Sequence, residues 1–125
     1  MNKTIRRLPD GELEVMQAVW ACEPPVSRSD LERILEEKHP LAATTILTLL
    51  SRLVEKKFLL VEKQGRSNCY TPLISQQEYL AAQSRRFLDT LCGGKMSVFA
   101  AALCDSGLSK EYLAELRDLL EKGEL

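Results

Sequence analysis

Within residues 44–58, TTILTLLSRLVEKKF, three threonines and a serine stand close to one arginine. They are Thr44, Thr45, Thr48, Ser51 and Arg52. At about 100° per residue a helix sets Thr44, Thr48, Ser51 and Glu55 on one stripe. Thr45 and Arg52 then lie on one flank and Leu47 on the other. Ile46, Leu49, Leu50 and Leu53 share the opposite stripe, which is the pattern of a buried face. Small hydroxyls can hydrogen-bond to base edges, and no acid precedes Glu55, so such a face can enter a DNA major groove without repulsion. Taken alone, the same pattern also describes an ordinary surface helix that carries threonines. A second cationic group, Lys63 and Arg66, flanks Gly65 and suits contact with phosphates or a minor groove.

Other chemistry is poorly served. Cys22, Cys69, Cys92 and Cys104 form no CxxC or CxC pair, and His39 is the single histidine. No metal site and no disulfide framework is expected, and reduced, buried thiols are the default. There is no glycine-rich phosphate loop and no cysteine with a histidine partner in view, so neither an enzyme nor a cofactor is expected.

The elements that must position the hydroxyl face come before and after it. Pro9 to Ala21 reads as a first helix, with Asp10, Glu12 and Glu14 at its dipole-favoured start and an inner stripe of Leu13, Met16, Val19 and Trp20. Glu23-Pro24-Pro25 turns the chain, and Val26 is a short extended point. Ser27 to Glu37 reads as a second helix, with Ser27 and Asp30 spaced as a capping box and Leu31, Ile34 and Leu35 buried. A short loop that includes His39 leads into 44–58. Two helices and a third through tight connections make the helix-turn-helix plan. Residues 59–63, a glycine turn at 64–67 and residues 68–72 then read as a β-hairpin, a wing, directly after the third helix.

From Ser75 the pattern is helical again. Ser75 and Glu78 are spaced as a capping box, and breaks at Gly93-Gly94 and at Asp105-Ser106-Gly107 divide the rest into three helices. Phe87, Leu91, Val98, Phe99, Leu103, Leu113, Leu116 and Leu120 are the candidate dimerisation residues. About fifty residues this apolar bury little surface alone, and a second copy around a two-fold axis is the simplest partner.

The 125 residues carry 17 Lys+Arg and 18 Asp+Glu, a net charge of −1, with 45% apolar residues. This suits a globular chain and argues against a non-specific nucleic-acid coater, while a local positive patch remains compatible. Residues 1–75 hold 11 cationic and 10 anionic side chains, and the remainder 6 and 8. No apolar run reaches membrane-spanning length, and the N-terminus has charge without an apolar segment behind it. A cytoplasmic location without membrane insertion is expected. The basic arm of Lys3, Arg6 and Arg7 is either disordered or laid on a phosphate backbone.

Three runs carry a resemblance. LPDGELEVMQAVW at 8–20 resembles the first helix of the penicillinase-repressor family of BlaI/MecI/CopY type. Thr45, Ile46, Thr48, Leu50, Arg52, Leu53 and Lys56 resemble its recognition helix, and Gly65, Arg66, Tyr70, Thr71 and Pro72 its wing and exit. The resemblance covers nearly the whole chain. It implies a mainly α fold with a small β-hairpin: a winged helix-turn-helix DNA-binding domain at 1–74 and a three-helix dimerisation region at 75–125. It further implies a homodimeric repressor on a palindromic operator in double-stranded DNA. In the antibiotic-resistance branch a membrane sensor protease releases the repressor by cutting the dimerisation region, which here corresponds to Ala101 and Ala102.

The chain departs from the family in having Pro9 before the first helix. Ala43-Thr44 stands where Pro-Lys is usual, and Ala101-Ala102 where Asn-Phe is usual. The cysteine-rich tail of the copper branch is absent. The DNA-binding set expected is Thr44, Thr45, Leu47, Thr48, Ser51, Arg52, Lys63 and Arg66. The alternative is a winged-helix module that binds protein without reading DNA.

Overall fold

The computed structural model describes residues 5–123. The order is α1 (Asp10–Trp20), β1 (Val26–Ser27), α2 (Arg28–Lys38), α3 (Ala43–Glu55), β2 (Leu59–Gln64), β3 (Ser67–Pro72), α4 (Gln76–Arg86), a π-helical turn (Phe87–Leu91), α5 (Met96–Asp105) and α6 (Lys110–Lys122). The chain divides into two compact units, one ending at Gln83 and the other beginning at Ser84. The boundary falls inside α4.

The first unit is three helices on a small sheet. Pro9 stands just outside α1 in an extended conformation, and its carbonyl accepts the Leu13 N–H at 2.9 Å. Val15, Met16, Ala18 and Val19 are buried, while Leu13 and Trp20 are only partly so. The inner face of α1 is therefore rotated from the expected stripe toward Val15 and Ala18. In α2 the capping box forms: Ser27 N–H donates to Asp30 Oδ2 at 3.1 Å and Asp30 N–H to Ser27 Oγ at 3.2 Å. Those bonds, with Arg33 beside it, hold the Asp30 carboxyl below its ordinary range. Leu31 and Leu35 are buried, and Ile34 is partly buried.

The sheet has three antiparallel strands in the order β1-β3-β2. The hairpin pairs Leu59 with Pro72 through Gln64 with Ser67. The third strand was not expected from sequence: Val26 pairs with Tyr70 and Ser27 with Cys69. Two residues are too few to show the alternation that announces a strand.

Aromatic side chains close the unit. Tyr79, from α4, lies 5.7 Å from Trp20 and 5.9 Å from Phe58 between ring centroids. Its hydroxyl accepts the Leu8 N–H at 2.9 Å. Trp20 Nε1–H donates to the Ile74 carbonyl at 2.9 Å. Gln83 Nε2 reaches the Ile5 carbonyl at 3.3 Å. The first two turns of α4 thus pack as part of the N-terminal unit.

In the second unit, Ser109 Oγ caps α6 through the Tyr112 N–H at 3.2 Å. Phe87 and Phe99 meet at 5.3 Å. Among its described residues, Cys92 is the one that is buried.

Candidate nucleic-acid interface

The helix that carries the hydroxyls begins without a side-chain cap. Ala42 precedes it and offers no side-chain hydrogen bond, and its first turn contains no acid. The leading N–H groups and the positive end of the helix dipole are left for an outside anion. Ile46, Leu49, Leu50 and Leu53 are buried in the core, as expected from their spacing. That anchor fixes what points outward: Thr44, Thr45, Leu47, Thr48, Ser51, Arg52 and Glu55 are exposed. Leu47 is 40% exposed, a large apolar side chain held in solvent. Thr48 Oγ1–H donates to the Thr44 carbonyl one turn back, at 3.0 Å.

Helix α3 stops three residues before the expected end at Phe58, for a local reason. Lys57 adopts a left-handed conformation, φ +67°. Its N–H donates to the Val54 carbonyl at 3.1 Å, and the Phe58 N–H to the Leu53 carbonyl at 3.0 Å. These two bonds are a Schellman ending with lysine where glycine is usual. The reversal buries Phe58 and Leu59 and starts the hairpin.

At the hairpin tip Gly65 has φ +66°, and open space surrounds the position a Cβ would take. Glycine is needed there for the turn conformation rather than for a close approach. A positive φ at the first of two central residues is the pattern of a II′ turn. Lys63, paired across to Asn68, and Arg66 in the turn are both exposed. Among the described residues no ion pair involves Arg52, Lys63 or Arg66, whereas Arg28, Arg33, Arg85 and Arg117 each pair with an acid. The unneutralised cations on α3 and the wing offer charge that a phosphate backbone can take up.

Two side-chain contacts made by α1 join it to other elements of the unit. Lys56 Nζ donates to Glu12 Oε1 at 2.5 Å, joining the end of α3 to α1, and the Glu12 side chain is only 4% exposed. The sequence contained one signal: Glu12 lies on the same helical face as Met16 and Val19. Its partner, 44 residues away, left no trace in the local pattern. His39, in the loop after α2, meets Glu14 with Nδ1 and Oε2 2.8 Å apart.

No group of histidine, cysteine or acidic residues that could hold a metal ion occurs among the described residues. Burial, with Asp30 nearby, pushes the Cys22 thiol up.

A family model described as "Penicillinase repressor" matches residues 8–122. The chain belongs to the penicillinase-repressor family. It is 32% identical over 121 residues to the penicillinase repressor of Bacillus licheniformis, covering 96% of this chain and 94% of that one. It is 28% identical over 122 residues to the methicillin resistance regulatory protein MecI of Staphylococcus aureus, covering 97% and 98%. A solution structure of monomeric Bacillus licheniformis BlaI in complex with the blaP half-operator matches with a TM-score of 0.51 and 33% identity. It covers 63% of this chain and 94% of that one. The α3 face and the wing therefore belong to a DNA-binding transcriptional repressor of winged-helix fold.

The eight residues expected from sequence to form a dimer all lie in the second unit. Phe87, Leu91, Val98 and Leu120 are exposed, and Phe99, Leu103, Leu113 and Leu116 are partly buried. Ala101 and Ala102 are exposed in the body of α5. Among the described residues no single helix is long and apolar enough to cross a membrane.

Proposed function

We propose that two copies of this repressor bind a palindromic operator in the cytoplasm. Each copy lays the outer face of α3 in a major groove and the hairpin tip on the flanking backbone. The observation that carries the proposal is the exposed face of α3, free of acid through its first three turns, beside cations that no acid among the described residues neutralises. Thr44, Thr45, Leu47, Thr48 and Ser51 meet base edges or nearby phosphates. Arg52, Lys63 and Arg66 neutralise phosphates, and the uncapped start of α3 adds main-chain N–H groups where a lysine is missing.

The functional division is a DNA-binding domain at 1–74 and a dimerisation region at 75–125. Two half-sites supply the affinity and specificity that one small wing domain lacks. The eight apolar side chains of the second unit gain cover by pairing with a second copy. A membrane sensor protease that cuts near Ala101 and Ala102 would separate the dimer and release the operator. Because both alanines are helical, cleavage requires local opening of α5 first.

Fluorescence anisotropy with an operator duplex tests this reading. Affinity should fall steeply with salt, and Arg66→Ala should weaken binding to all sequences and lower the salt slope by about one. Binding that ignores salt would favour a module that recognises protein instead.

A further inference from the structure

The DNA-reading face of α3 contains a step with no free hydrogen-bond donor. Thr48 has directed its hydroxyl proton to the Thr44 carbonyl, at 3.0 Å. That back-bond satisfies a lone pair of the i−4 carbonyl and fixes the threonine rotamer. What Thr48 retains for an outside partner is an accepting oxygen and a branched methyl. Its neighbour Leu47 holds an apolar side chain 40% exposed, with nothing in its own unit to cover it fully.

The four base pairs present different patterns to such a step. Guanine shows two acceptors, N7 and O6, and gains nothing from a surface without a donor. Cytosine offers the N4 donor but no methyl. Only an A·T pair offers both a donor, adenine N6, and an apolar group, the thymine C5-methyl.

We propose that Leu47 and Thr48 select an A·T pair in each half-site, Leu47 packing on the thymine methyl while Thr48 Oγ1 accepts from adenine N6. The inference rests on the DNA-binding reading above and adds to it a base identity and a mode of readout. Discrimination comes from methyl contact and acceptance, so it is modest per position and is lost when the methyl is removed.

The test uses the full chain and a duplex selected from a random library by the protein itself. Each thymine is then replaced singly by uracil, which lacks only the C5-methyl. One position per half-site should lose affinity about fourfold, the equivalent of roughly 0.8 kcal/mol for one buried methyl group. Leu47→Ala should bind the parent duplex more weakly by a similar factor and no longer distinguish thymine from uracil. Thr48→Val keeps the branched shape and loses the acceptor. It should keep the thymine preference while ceasing to distinguish adenine from purine lacking the N6 amino group. Both side chains are exposed, so an unchanged circular dichroism spectrum verifies the fold of each variant.

The inference is overturned if salt-dependent binding is intact while uracil is tolerated everywhere. It is also overturned if Leu47→Ala retains the full uracil penalty. Absence of salt-dependent binding to any duplex would instead overturn the DNA-binding reading itself.

Discussion

The Glu12–Lys56 pair makes a sharp demand on the fold. Its atoms are 2.5 Å apart, with the acid 4% and the lysine 25% exposed. For charges about 4 Å apart at an effective dielectric near 20, the gross attraction is about 4 kcal/mol. Removing one member of a fully buried pair destabilises by about 3–5 kcal/mol, because the other charge stays buried without its partner. Lys56 is reached by water on one side, so Lys56→Met should cost somewhat less, about 2–3 kcal/mol. Replacing both members, Glu12→Leu with Lys56→Met, removes the stranded charge and should return stability to within about 1 kcal/mol of the parent. Urea unfolding of the four proteins, followed by circular dichroism, measures the cycle. The m-value should stay constant while the midpoint moves. A loss below about 0.5 kcal/mol for Lys56→Met would mean that the pair behaves as an exposed one, and the reasoning would be refuted. The functional reading is that this pair fixes the end of α3 against α1.

Two further outcomes follow from local geometry. Lys57→Gly relieves a left-handed lysine and should stabilise by about 1 kcal/mol, seen as a higher Tm, with no comparable gain from Lys57→Ala. The Asp30 carboxyl is held below its ordinary range, so its contribution to stability is complete above the unfolded value near about 4 and is lost as pH falls through the folded one. Thermal melts should accordingly show parent and Asp30→Asn differing at neutral pH, with the gap narrowing as pH falls into acid, and a gap that does not narrow would refute this.

Local patterns were enough where one residue's role depends on its neighbours in sequence. The buried stripe of Ile46, Leu49, Leu50 and Leu53 fixes the phase of α3, and the exposure of Thr44, Thr48 and Ser51 follows from phase alone. The capping boxes at Ser27 and Ser75 were legible because both partners sit within one turn. The hairpin was legible from an apolar run at 59–61, the glycine turn at Gly65 and a second extended run ending at Pro72. What escaped depends on distance along the chain or on brevity. Glu12 reads as a dipole-favoured acid until Lys56 arrives from another helix. Strand β1 has no period to detect. Tyr79 looks like one more apolar position of a C-terminal helix, yet its hydroxyl bonds to Leu8, 71 residues away. Lys57 gave no warning of the helix end, since a left-handed lysine is a choice imposed by burying Phe58 rather than a preference of its own.

The chain has one tryptophan, and it sits in the unit that ends at Gln83, with its indole N–H held by the Ile74 carbonyl and its ring beside Tyr79. This gives the protein an intrinsic optical reporter for one of its halves. Trp20 emission will shift to longer wavelength when the winged unit opens, whereas helical ellipticity sums α1 through α6. Unfolding curves from the two signals coincide if both halves melt together and separate if they melt in turn. A shift of that emission upon mixing with unlabelled duplex would likewise mark rearrangement around α1 without any attached dye.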